Sequence, residues 1–452
     1  MKLTSMSKGL SKLALRTSVA LPLVLAPAIS VTVLEAAGVS APFASAQAQE
    51  QEQKKPSKQK TRKVPAMREA AYKKLEKAQE AADAEDWAGA LAALKEMDAS
   101  KKRYNGYEVA QMYNFFGVVY YSTERYKQAI PYFKKVLNQG EENLPVALEV
   151  GTLFTLAQLY FVTEDYKQAI NYLNQWFKVS DRITADSYAL RAQAYNQVGD
   201  QSKALADINV AVSMYEKEGK VPKESWYGLQ QYVYFERNDY KKVAGVLEKL
   251  VQYYPKPVYY KTLAAMYGEL KRDKDQLHMM EAAYLAGALE KDKDLLNMGY
   301  LFMGHEMPYK GAKVIAKGIK EKKIPRTSKN LETLAQAYQM AQELQKAIPQ
   351  LEAAAKLSDK GDIYSRLAGI YLDLDQNEKA ISMGNKALDK GKIKRIDQLH
   401  IVMGMANANL KRYDAALRSL KEASKDDRSK KSAQQWIAYV EGEKKREEKL
   451  AI

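Results

Sequence analysis

The feature that most constrains this chain is a pattern held in phase from Ala78 to Ala416. It is clearest in Tyr113–Leu137, YNFFGVVYYSTERYKQAIPYFKKVL, which reads as two short helices joined by a polar turn. Tyr113, Phe116, Gly117 and Tyr120 share one face of the first helix, and Ala129 and Phe133 share a face of the second. Gly117 and Ala129 are small, so the two backbones can approach closely there, with Tyr120 filling the space beside them. Equivalents of Ala129 stand at Ala90, Ala169, Ala204, Val243, Gln276, Gly311, Ala347, Ala380 and Ala416, at intervals of 33 to 40 residues. Twelve residues ahead of these markers lie Ala78, Gly117, Ala157, Ala192, Gln231, Ala264, Gly299, Ala335, Ala368 and Gly404. Three residues further on are Ala81, Tyr120, Tyr160, Tyr195, Tyr234, Tyr267, Phe302, Tyr338, Tyr371 and Asn407, eight of the ten aromatic. One such hairpin cannot bury its apolar stripe alone; it needs neighbours of the same kind.

The pattern resembles the tetratricopeptide repeat family, a helix–turn–helix unit of about 34 residues, over roughly Met67 to Asp427. It departs from that family in two ways. The early Trp is replaced, as at Tyr113, Leu153, Tyr188 and Leu331, and the closing Pro is matched only by Pro255. The first, sixth and seventh repeats are degenerate. The resemblance implies an all-α fold: a solenoid, wound as a right-handed superhelix of about nine to ten hairpins over residues 67–428. Such an array is continuous, with contacts only between neighbours. Its core is a strip between helix layers.

The two ends differ from the array. Lys2, Lys8, Lys12 and Arg16 precede an apolar run from Val19 to Val33, and Ala44-Ser45-Ala46 offers a small-residue cleavage site. Residues 1–46 therefore read as a signal peptide, cleaved near Ala46. Residues 47–66, rich in Gln and Lys, read as a disordered basic linker. Residues 429–452 read as one helix that caps the array, packing Trp436, Ile437 and Val440 and facing EGEKKREEK to water. The sequence has no cysteine, which excludes disulfides, thiolate metal sites and cysteine nucleophiles. An exported chain of this kind suits the periplasm, with no membrane span after cleavage. The formal net charge of +16 points to acidic partners. For an exported protein those are phospholipid headgroups, peptidoglycan or acidic protein segments rather than nucleic acid.

No catalytic constellation stands out. The three histidines, His278, His305 and His400, fall in different repeats. His305-Glu306 opens like a zinc-protease motif, but the second His is missing and Pro308 follows. The expectation is a protein that is no enzyme and needs no metal or cofactor.

In the tetratricopeptide family the first helix of each hairpin lines a concave groove. Carried onto this sequence at helical spacing, the groove positions include Asn114, Tyr121, Phe154, Gln158, Phe161, Gln193, Asn196, Tyr232, Phe235 and, in the seventh repeat, Tyr300. This face is aromatic and amide. It lacks the Lys and Asn clamp with which some members hold a peptide carboxylate, since Asn114 pairs with Val118 and Lys261 with Ala265. Rings and amides suit an extended or proline-rich segment. The layout of leader, basic linker and array also resembles the periplasmic tetratricopeptide proteins associated with TonB–ExbB–ExbD systems. That resemblance implies an accessory role in energised transport across the outer membrane. Its partners would be the proline-rich linker of TonB or the ExbB–ExbD complex. A scaffold for envelope assembly, peptidoglycan enzymes, or exopolysaccharide or secretion machinery remains the alternative.

Overall fold

The computed structural model describes residues 62–450. The expected leader, 1–46, and the linker up to residue 61 lie outside the described residues. Contacts divide the chain into two compact units, one ending at Tyr254 and the other beginning at Pro255.

The first unit holds five helical hairpins. They are α1 (Glu69–Asp83) with α2 (Trp87–Ala99), α3 (Gly106–Ser122) with α4 (Tyr126–Leu137), and α5 (Val146–Val162) with α6 (Tyr166–Val179). Next come α7 (Ala185–Gln197) with α8 (Gln201–Lys217), then α9 (Glu224–Glu236) with α10 (Tyr240–Tyr253). The second unit holds five more. These are α11 (Pro257–Glu269) with α12 (Asp273–Leu285), α13 (Asp292–Gly304) with α14 (Pro308–Lys320), and α15 (Ser328–Met340) with α16 (Leu344–Leu357). Then follow α17 (Asp362–Asp373) with α18 (Asn377–Lys390), α19 (Ile396–Asn409) with α20 (Tyr413–Ala423), and a last helix, α21 (Asp427–Leu450). No strand occurs among the described residues. Below, the two helices of a hairpin are called A and B.

Each hairpin closes where the sequence places its small residues. Ala90, Ala129, Ala169, Ala204 and Val243 have no exposed surface. A Cβ on Gly117 would lie 2.7 Å from the Phe133 ring, and one on Gly311 would lie 2.7 Å from the Gly299 carbonyl oxygen. Only the missing side chain lets these backbones meet. In the degenerate sixth repeat Gln276 replaces the usual Ala, and Gly268 opposite it leaves the space, since a Cβ there would lie 2.6 Å from Nε2 of Gln276.

The turn between A and B is built the same way in hairpin after hairpin. One residue adopts a left-handed backbone: Glu85, Glu124, Glu164, Gly199 and Asn238 in the first unit, with φ from 56° to 82°. This reverses the chain and lets two amides return to the end of helix A. Glu124 N donates to the Tyr121 carbonyl at 2.9 Å, and Arg125 N donates to the Tyr120 carbonyl at 2.8 Å. The pair of bonds is a Schellman cap. The next residue then caps helix B. Asp86, Asp165, Asp200 and Asp239 each accept a bond from the backbone amide three residues on.

The second hairpin of the first unit and the last hairpin of the second each carry a buried carboxylate. Glu108, fully buried in the first turn of α3, accepts from Arg68 Nε at 3.0 Å and NH2 at 2.5 Å, and from the Arg68 and Asn105 amides. Arg62, six residues earlier, pairs with Glu149 of α5 at 2.6 Å. The extended lead-in 62–68 thus fastens the starts of α3 and α5. In the second unit Asp397 of α19, 2% exposed, accepts from the Arg395 side chain and, at 2.6 Å, from Ser429 of α21. Val440 of α21 is buried, and Trp436 and Ile437 pack beside it on Ala416 and Leu420.

Candidate functional site

Nine of the ten candidate groove residues lie on the A helices of the first unit; Tyr300 lies on α13 of the second. In the first unit three of the five aromatic positions follow one rule. The ring near the end of helix A meets the first ring of its own helix B. Tyr121 lies 5.6 Å from Tyr126, Phe161 lies 5.2 Å from Tyr166, and Phe235 lies 6.0 Å from Tyr240, centroid to centroid. The first-named ring of each pair is half-buried, so one face is held while part of the ring stays accessible. Burial, and then the neighbouring Tyr126, push the Tyr121 phenol up to about 12. Its proton is therefore kept at any physiological pH. Phe154 sits lower on α5, 5.0 Å from Trp176 of α6.

Among the polar candidates, Asn114, Gln193 and Asn196 are half-buried. Gln158 differs from the expectation of an exposed amide. It is buried, and its Oε1 has no hydrogen-bond partner among the described residues. Phe154 and Phe161 stand one turn to either side of it on the same face. Tyr232 is the most open of the first-unit candidates, 40% exposed on α9. Tyr300 is 43% exposed, but its hydroxyl is engaged. Thr333 Oγ1 donates to the Lys329 carbonyl, so the Tyr300 O–H donates to that oxygen at 3.2 Å and ties α13 to α15.

Sequence reasoning missed the ring partners Tyr126, Tyr166 and Tyr240. Their signal was present in the repeated ERYKQAI, EDYKQAI and NDYKKVA, where a Tyr opens each B helix. It also missed Arg191. This side chain grips Asp207 of α8 through Nε at 2.6 Å and NH2 at 3.0 Å, reaches Asn174 of α6 at 2.9 Å, and lies 3.9 Å over the Phe177 ring. A guanidinium so completely engaged locks three helices beside Gln193. Between α8 and α9, Asn209 accepts from Gln230 at 2.7 Å and donates to the Tyr234 hydroxyl at 3.2 Å. Bonds between hairpins thus tie α6 to α7 and α8 to α9, while the ring pairs lie within hairpins.

The described residues contain no group of three or more His, Cys, Asp or Glu side chains able to hold a metal ion. No described helix is long and apolar enough to cross a membrane.

Residues 108–180, which span α3 to α6, match the tetratricopeptide repeat family. The hairpin those residues form recurs through both units with the same left-handed turn, a small pair in most hairpins and, in eight of the ten, an aromatic carbonyl accepting at the turn. The described residues thus form an array of tetratricopeptide-type hairpins around that matched stretch. No curated protein matches the chain in sequence. Among solved structures, it resembles a tetratricopeptide repeat protein from Parabacteroides merdae at 15% identity, covering 64% of this chain and 99% of that one, with a TM-score of 0.34. MamA matches at 20% identity over 40% of this chain and 92% of its own, TM-score 0.33. YrrB, described as a TPR protein with an unusual peptide-binding site, matches at 14% identity over 42% and 89%, TM-score 0.33. Overlaps this loose carry no argument of their own. The sequence match over residues 108–180 and the repeated hairpin support a protein-interaction scaffold.

Proposed function

We propose that the first unit holds an extended, proline-rich protein segment against the A helices α3, α5, α7 and α9. We further propose that the protein serves as a periplasmic adaptor in TonB-dependent transport across the outer membrane. The observation that carries the first step is the recurring ring pair. Tyr121, Phe161 and Phe235 are each braced by a tyrosine of their own hairpin, so a stacking surface is in place before any partner arrives. Binding to a braced ring costs little ordering entropy. Proline rings stack on such faces, and the half-exposed amides of Asn114, Gln193 and Asn196 can bond the backbone of an extended segment. The leader-like start, the basic stretch after it and the resemblance to TonB-associated proteins support the second step. A TonB linker would supply the prolines.

The test is a titration of the exported chain with a proline-rich TonB linker peptide. Tyr232→Ala should weaken binding about thirtyfold, the cost of truncating an aromatic anchor of about 2 kcal/mol, with the helical signal unchanged. If affinity is unchanged by that substitution and abolished by deletion of residues 47–65, recognition lies in the basic stretch and not on the rings.

A further inference from the structure

One surface outside the candidate groove concentrates charge. On α14 of the second unit, Lys310, Lys313, Lys317 and Lys320 are exposed on a single face, with Tyr309 among them, 38% exposed. Their spacing of three, four and three residues keeps them aligned along the helix. Lys322 and Lys323 extend the face past the helix end, and from Pro308 to Ile324 the one acid is Glu321. Glu321 lies between Lys317 at 3.8 Å and Lys323 at 3.3 Å, and Glu281 reaches Lys310 at 3.2 Å. Two carboxylates therefore face six ammonium groups.

Beside this face lies a recess of about 280 Å³. Leu289, Leu295 and Val314 form its apolar floor, and Lys317 and Lys323 stand on its rim. Leu285, also on the rim, is 79% exposed. The opposite side of α14 is spent on packing, with Gly311, Ala312, Val314 and Ile315 all buried. The helix itself cannot roll into an apolar phase without unfolding the hairpin.

We infer that this face is a peripheral docking surface for an anionic phospholipid bilayer. The lysines face the headgroups, and Leu285 enters the interface at their edge. Charge complementarity selects an anionic partner. The residue types select a fluid one. A partner with fixed carboxylates is better gripped by the planar fork of arginine, whereas lysine is a hydrated point charge on a flexible stem. A row of lysines with a protruding leucine and an amphipathic tyrosine suits a surface whose phosphates move. The surface belongs to B helix α14, so the inference does not depend on what the A helices of the first unit hold.

The experiment is co-sedimentation of the exported full chain with phosphatidylglycerol-containing vesicles and with pure phosphatidylcholine vesicles at low salt. Each basic side chain near an anionic surface contributes about fivefold in affinity. Lys313→Gln, Lys317→Gln and Lys320→Gln together should weaken binding to the anionic vesicles about a hundredfold, with the circular dichroism spectrum kept. Lys127→Gln, Lys134→Gln and Lys167→Gln remove equal charge from B helices of the first unit and should leave binding within a few-fold of the parent. Leu285→Ser should lose the part of the binding that survives high salt, because salt screens the lysines and not the leucine. Equal losses from both lysine triples would show that binding follows net charge and would overturn the assignment. So would capture of a poly-glutamate peptide, sensitive to the α14 triple, with no binding to anionic vesicles; the partner would then be an acidic protein segment.

Discussion

Glu108 and Asp397 are carboxylates shut away from water, each in the first turn of an A helix. Burial alone would raise the Glu108 carboxyl. The side-chain bonds of Arg68, with the backbone amides of Arg68 and Asn105, outweigh that and hold it below the ordinary range. For Asp397 the bonds from Arg395 come first, burial opposes them, and Ser429 adds to them, so the carboxyl stays well below its usual value. An acid whose folded value is depressed adds stability above its unfolded value of about 3.9 and loses it as pH falls through the folded one. Asp397→Asn should therefore destabilise the protein by roughly 1.5–3 kcal/mol at neutral pH, the worth of bonds to a charged group. Its deficit against the parent should shrink as pH drops below about 4. Urea denaturation followed at pH 7 and pH 3 checks both: at pH 3 the deficit should be smaller but not gone, because the folded carboxyl is still ionised there; an equal deficit at both would mean that the charge is not the cause. Neither carboxylate was singled out in the sequence, because Glu108 looks like any acid at a helix start and its partner Arg68 stands 40 residues away.

At the scale of the element, the hairpin was legible because a close approach of two backbones leaves few residue choices. Gly117 against Phe133 and Gly311 against Gly299 admit no Cβ, and that is visible as a fixed spacing in the chain. The ring pairs were not legible. Tyr121 and Tyr126 meet across a turn, where the periodicity that places residues on one helix face no longer applies. The burial of Gln158 was hidden for a related reason: spacing along one helix does not say how closely neighbouring helices approach it. The turn itself carries a correctable strain. Glu124 sits at φ 56°, where a side chain costs roughly 1–2 kcal/mol and glycine costs none. Glycine also frees the unfolded chain, which takes back part of that gain. Glu124→Gly should thus stabilise the protein by up to about 1 kcal/mol, read as a higher denaturation midpoint with an unchanged slope. Loss of stability would show that the Glu124 side chain contributes more than its backbone costs.

At the scale of the whole molecule, the spacing of the marker positions runs on from Val243 to Gln276 at 33 residues, although contacts divide the chain between Tyr254 and Pro255. Period alone says where hairpins are, not how strongly each is tied to the next. Stability in such an array is a sum of hairpin terms and nearest-neighbour terms, and this can be probed from one buried residue. Ala157 has no exposed surface, at the point where α5 meets α6. Ala157→Leu adds three carbons where no space exists, an overpacking cost of about 1–3 kcal/mol. Because α5 and α6 touch their neighbours α4 and α7, the loss should appear as faster hydrogen exchange in residues 106–217. Peptides from residues 255–450 should exchange as in the parent. Mass spectrometry of the exchanged peptides resolves the two cases. Protection that falls equally across both units would mean that they unfold together, and that nearest-neighbour coupling carries through the whole chain.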